Sequence, residues 1–165
     1  WIEWSSASII SLQSRPGTRK MNKFFDEQIV LPSEALSKLW SLMSDINKID
    51  VWHKYMNNPI PISDYECLYD WTDEIYNRVL INNSKFTIVD KKDFEYVYYT
   101  ITPLQKNRYY HNGVRFSFVD SFRMERWLMM NPYAKDFLHE YERIDLLKHH
   151  ANGIFNNVVE MAKNF

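Results

Sequence analysis

After Pro32, apolar residues recur at helical spacing: Leu36, Leu39, Trp40, Met43 and Ile46. With Ser33 placed to cap the free N–H groups, the pattern predicts a helix ending near Asn47 to Asp50. Trp52, Tyr55 and Met56 predict one further short turn before Pro59-Ile60-Pro61, where each proline disfavours helix for itself and its predecessor. Ser63-Asp64-Tyr65-Glu66 then reads as a capping box. Leu68, Trp71, Ile75 and Val79 supply the apolar stripe of a second helix, broken by Asn82-Asn83-Ser84.

From there strand signals take over. Residues 86–89 and 94–101 are rich in Phe, Tyr, Val, Ile and Thr, with Asp90-Lys91-Lys92-Asp93 as a polar turn between them. The second run is apolar on both faces, which places it centrally in a sheet. Asn112-Gly113 between two alternating runs predicts a hairpin, because a type I′ turn needs positive φ at both central positions. Asp120 is read as the cap of a helix through about Met130, and Asn131-Pro132 as the start of another with Phe137, Tyr141, Ile144, Leu147 and Ala151 on its buried face. Asn152-Gly153 is read as its end, and Ile154, Phe155, Val158, Val159 and Ala162 as a short terminal helix. The expected fold is α+β: a small antiparallel sheet of three to four strands flanked by N-terminal and C-terminal helices.

The first 20 residues change where the domain is taken to begin. Trp4-Ser5-Ser6, Ala7-Ser8, Leu12-Gln13, Ser14-Arg15 and Gly17-Thr18 can each be translated from a common restriction site, so residues 1–20 read as a vector-derived leader and residues 21–165 as a single domain. The chain holds 20 Lys+Arg and 21 Asp+Glu; the leader takes Arg15, Arg19, Lys20 and Glu3, leaving 17 against 20. That mildly acidic balance excludes a general nucleic-acid coating protein. One cysteine, Cys67, cannot form an internal disulfide, which points to a reducing cytoplasm, and no run is apolar enough to span a bilayer. At 16% aromatic residues, the core is expected to rest on large rings.

Beyond the leader only Gly113 and Gly153 remain, too few for a phosphate-cradling loop. There is no G-x-S-x-G elbow, and Cys67 reads as a core residue. His139-Glu140 fails the H-E-x-x-H zinc pattern because position 143 is Arg. Glu142, Asp145 and His149 share one face of the expected helix and are a weak metal candidate, set against a plain solvated face. His53 and His111 read as surface or edge residues. In the expected hairpin Arg108, Tyr110, Arg115 and Ser117 share a face on which Tyr110 can stack a base between two arginines. On the expected second helix Glu66, Asp70 and Asp73, with Asp64 and Glu74 near, form an acidic stripe suited to a basic protein surface.

Missing catalytic motifs and opposed acidic and basic regions favour a non-enzymatic protein-binding function, an inhibitor or adaptor of the kind a phage or other mobile element carries. The alternative is a nucleic-acid-binding domain using Arg108, Tyr110 and Arg115; a third reading is a small metal-dependent hydrolase. No cofactor is expected, and the expected partner is another protein.

Overall fold

The computed structural model describes residues 21–73, 78–103, 109–130 and 140–165, and across 66–73 and 121–130 period-two alternation prevails over helical spacing. In chain order the elements are β1 (Asn22–Val30), α1 (Ser33–Met43), a 3-10 turn (Ile46–Lys48), α2 (Ile49–Trp52), β2 (Met56–Pro61), β3 (Glu66–Asp73), β4 (Arg78–Lys92), β5 (Tyr96–Pro103), β6 (Tyr109–Ser117), β7 (Ser121–Met130) and α3 (Glu140–Lys163). The strands form one antiparallel sheet of seven in the order β1-β7-β6-β5-β4-β3-β2. β5 lies at its centre, as a run apolar on both faces requires.

One face of the sheet packs on the helices. Cys67, Tyr69, Phe86, Tyr99, Phe116, Phe122 and Met124 meet Leu39 and Met43 of α1, Trp52 of α2 and Ile154, Phe155 and Val158 of α3 in a single core. Phe155 stacks 5.6 Å from Phe122 and meets Phe25 of β1 edge-on at 6.3 Å, so α3 is held against the two strands at one side of the sheet. Each ring fully withdrawn from water contributes about 2–3 kcal/mol. The Tyr99 hydroxyl donates to the Met43 carbonyl at 2.5 Å and so satisfies one open group at the end of α1. A smaller cluster of Met21, Tyr98, Trp127 and Met129 lies apart from this core.

The expected fold of three or four strands between helix pairs is therefore wrong in its sheet, and each error has a local cause. The expected second helix is β3 and the start of β4. Cys67 and Tyr69 alternate with Leu68 and Asp70, and pairing with both β2 and β4 outweighs the helical pattern. The residues read as a capping box instead close the β2–β3 turn: Ser63 Oγ accepts from the Tyr65 N–H at 3.2 Å, and the Glu66 carbonyl accepts from the Ile62 N–H at 3.0 Å. Asn112-Gly113 is not a turn but the middle of β6, where a Cβ on Gly113 would collide with the Tyr98 hydroxyl. The hairpins turn instead at Phe94 and Asp120, which take φ of 59° and 62°. The expected helix from Asp120 is β7, and the two expected C-terminal helices are one in α3, which runs through Asn152-Gly153 without a break. The leader at 1–20 and the helix start at Asn131-Pro132 lie outside the described residues. No helix among the described residues is long and apolar enough to cross a membrane.

Candidate functional site

A core built for stability alone would be apolar, and this one is not. Alternation along β7 puts Arg126 on the same face as Phe122 and Met124, where it is 2% exposed. Its Nε donates to the Gly113 carbonyl at 3.2 Å, its terminal nitrogen donates to Asn112 Oδ1 at 2.5 Å, and its guanidinium lies 5.1 Å from the centre of the Phe24 ring. The irregularity in β1 between Lys23 and Phe25 falls where the strand passes Arg126. A buried guanidinium persists only with such partners, because desolvating it unpaired costs several kcal/mol.

His53, just after α2, enters the same interior and is buried. Its Nδ1 accepts from the Tyr55 N–H at 3.3 Å, so in the neutral ring Nε2 carries the proton. Trp52, Phe86 and Tyr69 surround it with ring centres 5.6, 5.8 and 6.2 Å away. Burial, then repulsion from Arg126 and His150, lowers its pKa to about 3, so it is uncharged at neutral pH. His150 of α3 is fully buried, its ring 4.2 Å from that of Tyr55. Gly153, one turn on, leaves the space that Tyr55 fills. Burial pushes the Tyr69 hydroxyl well up. The Trp52 indole N–H is buried and without a hydrogen-bond partner. Six elements thus supply a polar set inside an aromatic block, and it offers neutral donors and acceptors beside one fixed positive charge.

The residues singled out from sequence lie elsewhere. Glu66 pairs with Lys85 of β4 at 2.8 Å, Asp70 is buried and accepts from Asn58 at 3.0 Å, and Asp73 stands opposite Arg78 in register; the acidic helix face does not form. Glu74 and Arg108 lie outside the described residues, as do the side chains of Asp73, Tyr110 and Glu142. Arg115 shares a face with Ser117, as expected, but its guanidinium sits 4.4 Å over the Tyr96 ring of the neighbouring strand, and there is no hairpin tip beside it. Asp145 and His149 are exposed on α3, and no three metal-ligating side chains come together among the described residues. His53 and His111 are buried rather than superficial. His111 Nε2 shares a 2.5 Å hydrogen bond with the Tyr98 hydroxyl, and its pKa falls to about 4 through burial and then Arg126. Sequence reasoning missed Arg126 because it read 120–130 as a helix; reading Phe122, Met124, Arg126 and Leu128 at period two would have placed the charge among core residues.

No family model matches the chain, and no curated protein matches it. Solved structures do. A START superfamily protein from Mycobacterium smegmatis is 12% identical with a TM-score of 0.60, the match covering 87% of this chain and 97% of that one. The di-domain aromatase/cyclase StfQ of the steffimycin biosynthetic pathway is 11% identical with a TM-score of 0.64, and the match spans 88% of this chain but only half of StfQ, 50%. The ZhuI aromatase/cyclase of Streptomyces sp. R1128 is 10% identical with a TM-score of 0.55, over 87% and 94%. At such identities the likeness is one of fold: the chain has a START-like helix-grip architecture, a long C-terminal helix held on a seven-stranded antiparallel sheet. That overturns the expected protein-binding inhibitor and nucleic-acid module, whose acidic helix and basic hairpin do not exist, and it lends nothing to the metal-dependent hydrolase.

Proposed function

We propose that this protein binds a small organic molecule between the sheet and α3, with an aromatic or otherwise apolar body and an oxygen acceptor directed to Arg126 and Asn112. The observation that supports this reading is the buried polar set itself. Arg126, His53, His150 and Asn112 each carry a desolvation cost that apolar residues of similar volume would avoid. In a site for a mostly apolar ligand, a few fixed polar groups set orientation while aromatic walls supply affinity. Aromatase/cyclases of small-molecule biosynthesis with the same architecture are consistent with it.

The test is a fluorescence titration with 1-anilinonaphthalene-8-sulfonate, an aromatic body carrying an anionic oxygen group, on the intact protein and on Arg126→Gln. Saturable binding that includes one Arg126-dependent site per chain is expected, that site weakened roughly 10- to 100-fold by the substitution, the worth of a charge-assisted hydrogen bond of about 1.5–3 kcal/mol. Thermal unfolding of Arg126→Gln must remain cooperative for the comparison to count. Binding that never saturates, or that ignores Arg126→Gln, would refute the reading.

A further inference from the structure

A concavity lies outside the core, at the end of the sheet where the β4–β5 and β6–β7 turns meet α1. It has a volume of about 350 Å³ and is lined by Ser37, Lys38, Ser41, Leu42, Phe94 and Phe165. An adjoining hollow of about 260 Å³ shares Ser37 and Phe94 with it and continues to Asp120. Two aromatic rings border the main groove with large free surface, Phe94 at 56% and Phe165 at 46% exposed. Phe94 is held there against its backbone preference. Its φ of 59° lies in the left-handed region that a bulky side chain rarely enters, and its ring rests 5.9 Å from Trp40. A strained residue whose side chain forms a wall is a reason to look for function at that wall.

Charge gives the groove a direction. Among the described residues lining the larger part, Lys38 has the one charged side chain; its ammonium sits 5.6 Å over the Phe165 ring and makes a long, exposed contact with Glu34 at 3.7 Å. Beyond Phe94 the sign reverses at Asp120. We propose that this groove is a second binding site, for a flat aromatic anion whose ring lies against Phe94 and Phe165 and whose carboxylate meets Lys38. The Ser37 hydroxyl lines the same wall and offers the carboxylate a further donor, whereas Ser41 Oγ, one helical turn on, already donates to the Ser37 carbonyl at 3.2 Å. Asp120 repels the carboxylate from the far end and so fixes which way round the ligand sits. This site does not depend on the interior reading.

Amide shifts of the isotope-labelled full chain, titrated with 2-naphthoate and with its neutral counterpart 2-naphthamide, test it. Shifts should centre on Ser37, Lys38, Ser41 and Phe94, with the acid binding roughly two- to fivefold tighter, as one exposed ion pair allows. Lys38→Gln should erase that preference and Lys38→Arg keep it. Phe94→Gly, which suits the backbone and removes the ring, should abolish binding at the groove while the rest of the spectrum stays in place. Shifts at the Trp52 indole and the Asn112 and Arg126 amides report the interior separately; the groove proposal is overturned if Ser37, Lys38, Ser41 and Phe94 do not shift, if acid and amide bind alike at the groove, or if Phe94→Gly binds there as before. Lys38→Gln should leave the Arg126-dependent dye binding unaltered, so either site can fail without the other.

Discussion

Replacing Gly153 with alanine sets two well-understood effects against each other, and the structure decides between them. Inside α3 the substitution should stabilise the helix by about 1 kcal/mol, the difference in propensity between the two residues. Against this, a Cβ on Gly153 would collide with the Tyr55 hydroxyl oxygen and come within 2.8 Å of Tyr55 Cζ. Tyr55 is 1% exposed and its ring lies tilted against His150 with centres 4.2 Å apart, so it has little room to yield. Forcing extra volume into such a core costs about 1–3 kcal/mol, and a collision this close belongs at the upper end. The net effect should be a loss of about 1–2 kcal/mol, seen as a melting temperature lowered by roughly 3–8 °C in a chain of this length. Tyr55→Phe removes the nearest atom and leaves the 2.8 Å approach to Cζ and the 3.1 Å approach to Cε2, which need a far smaller displacement of the ring than the hydroxyl does. The double variant Gly153→Ala/Tyr55→Phe should therefore be more stable than the sum of the two single changes by at least about 1 kcal/mol. Calorimetric or circular-dichroism melts of all four proteins complete the cycle. A rise in melting temperature for Gly153→Ala alone, or strict additivity in the double variant, would show that Tyr55 does not occupy this space and that α3 is seated differently.

Two further predictions rest on the interior. His53 and His111, with pKa near 3 and 4 against about 6.5 when unfolded, bind fewer protons in the fold than in the unfolded chain, so their contribution is complete above pH 6.5 and is lost as pH falls towards 4 for His111 and towards 3 for His53. Urea unfolding at pH 7, 6 and 5 should show stability dropping by up to about 1.4 kcal/mol per pH unit for each imidazole, and a flat profile would contradict their burial as neutral rings. Thr87 and Thr100 face each other across β4 and β5 with buried hydroxyls that have no hydrogen-bond partner. Thr100→Val should consequently raise stability by about 1 kcal/mol, and a destabilised variant would reveal a partner for that hydroxyl.

What the sequence determined by itself is what short-range physics decides. Helix α1, the strand character of the runs around β4 and β5 and the central place of β5 all follow from spacing and composition within a few residues, although α1 ends at Met43 rather than near Asn47 to Asp50, and the further short turn, expected over Trp52, Tyr55 and Met56, falls at Ile49–Trp52 with Met56 already in β2. The α+β class and the aromatic core follow as well. Tertiary structure decided the rest, because segments such as 66–73 and 121–130 satisfy both a helical and an alternating pattern, and only the presence of partner strands selects one. Glu66 to Asp73 becomes a strand because β2 and β4 flank it; Ser121 to Met130 does so because β1, from the other end of the chain, pairs along nearly its whole length. The same long-range pairing turned Asn112-Gly113 from an apparent turn into mid-strand residues and let Gly153 serve Tyr55 instead of ending a helix. The candidate site was illegible for that reason. Arg126, Asn112, His53 and His150 are scattered across the sequence with no motif between them, and they share an interior only once the sheet has formed over α3.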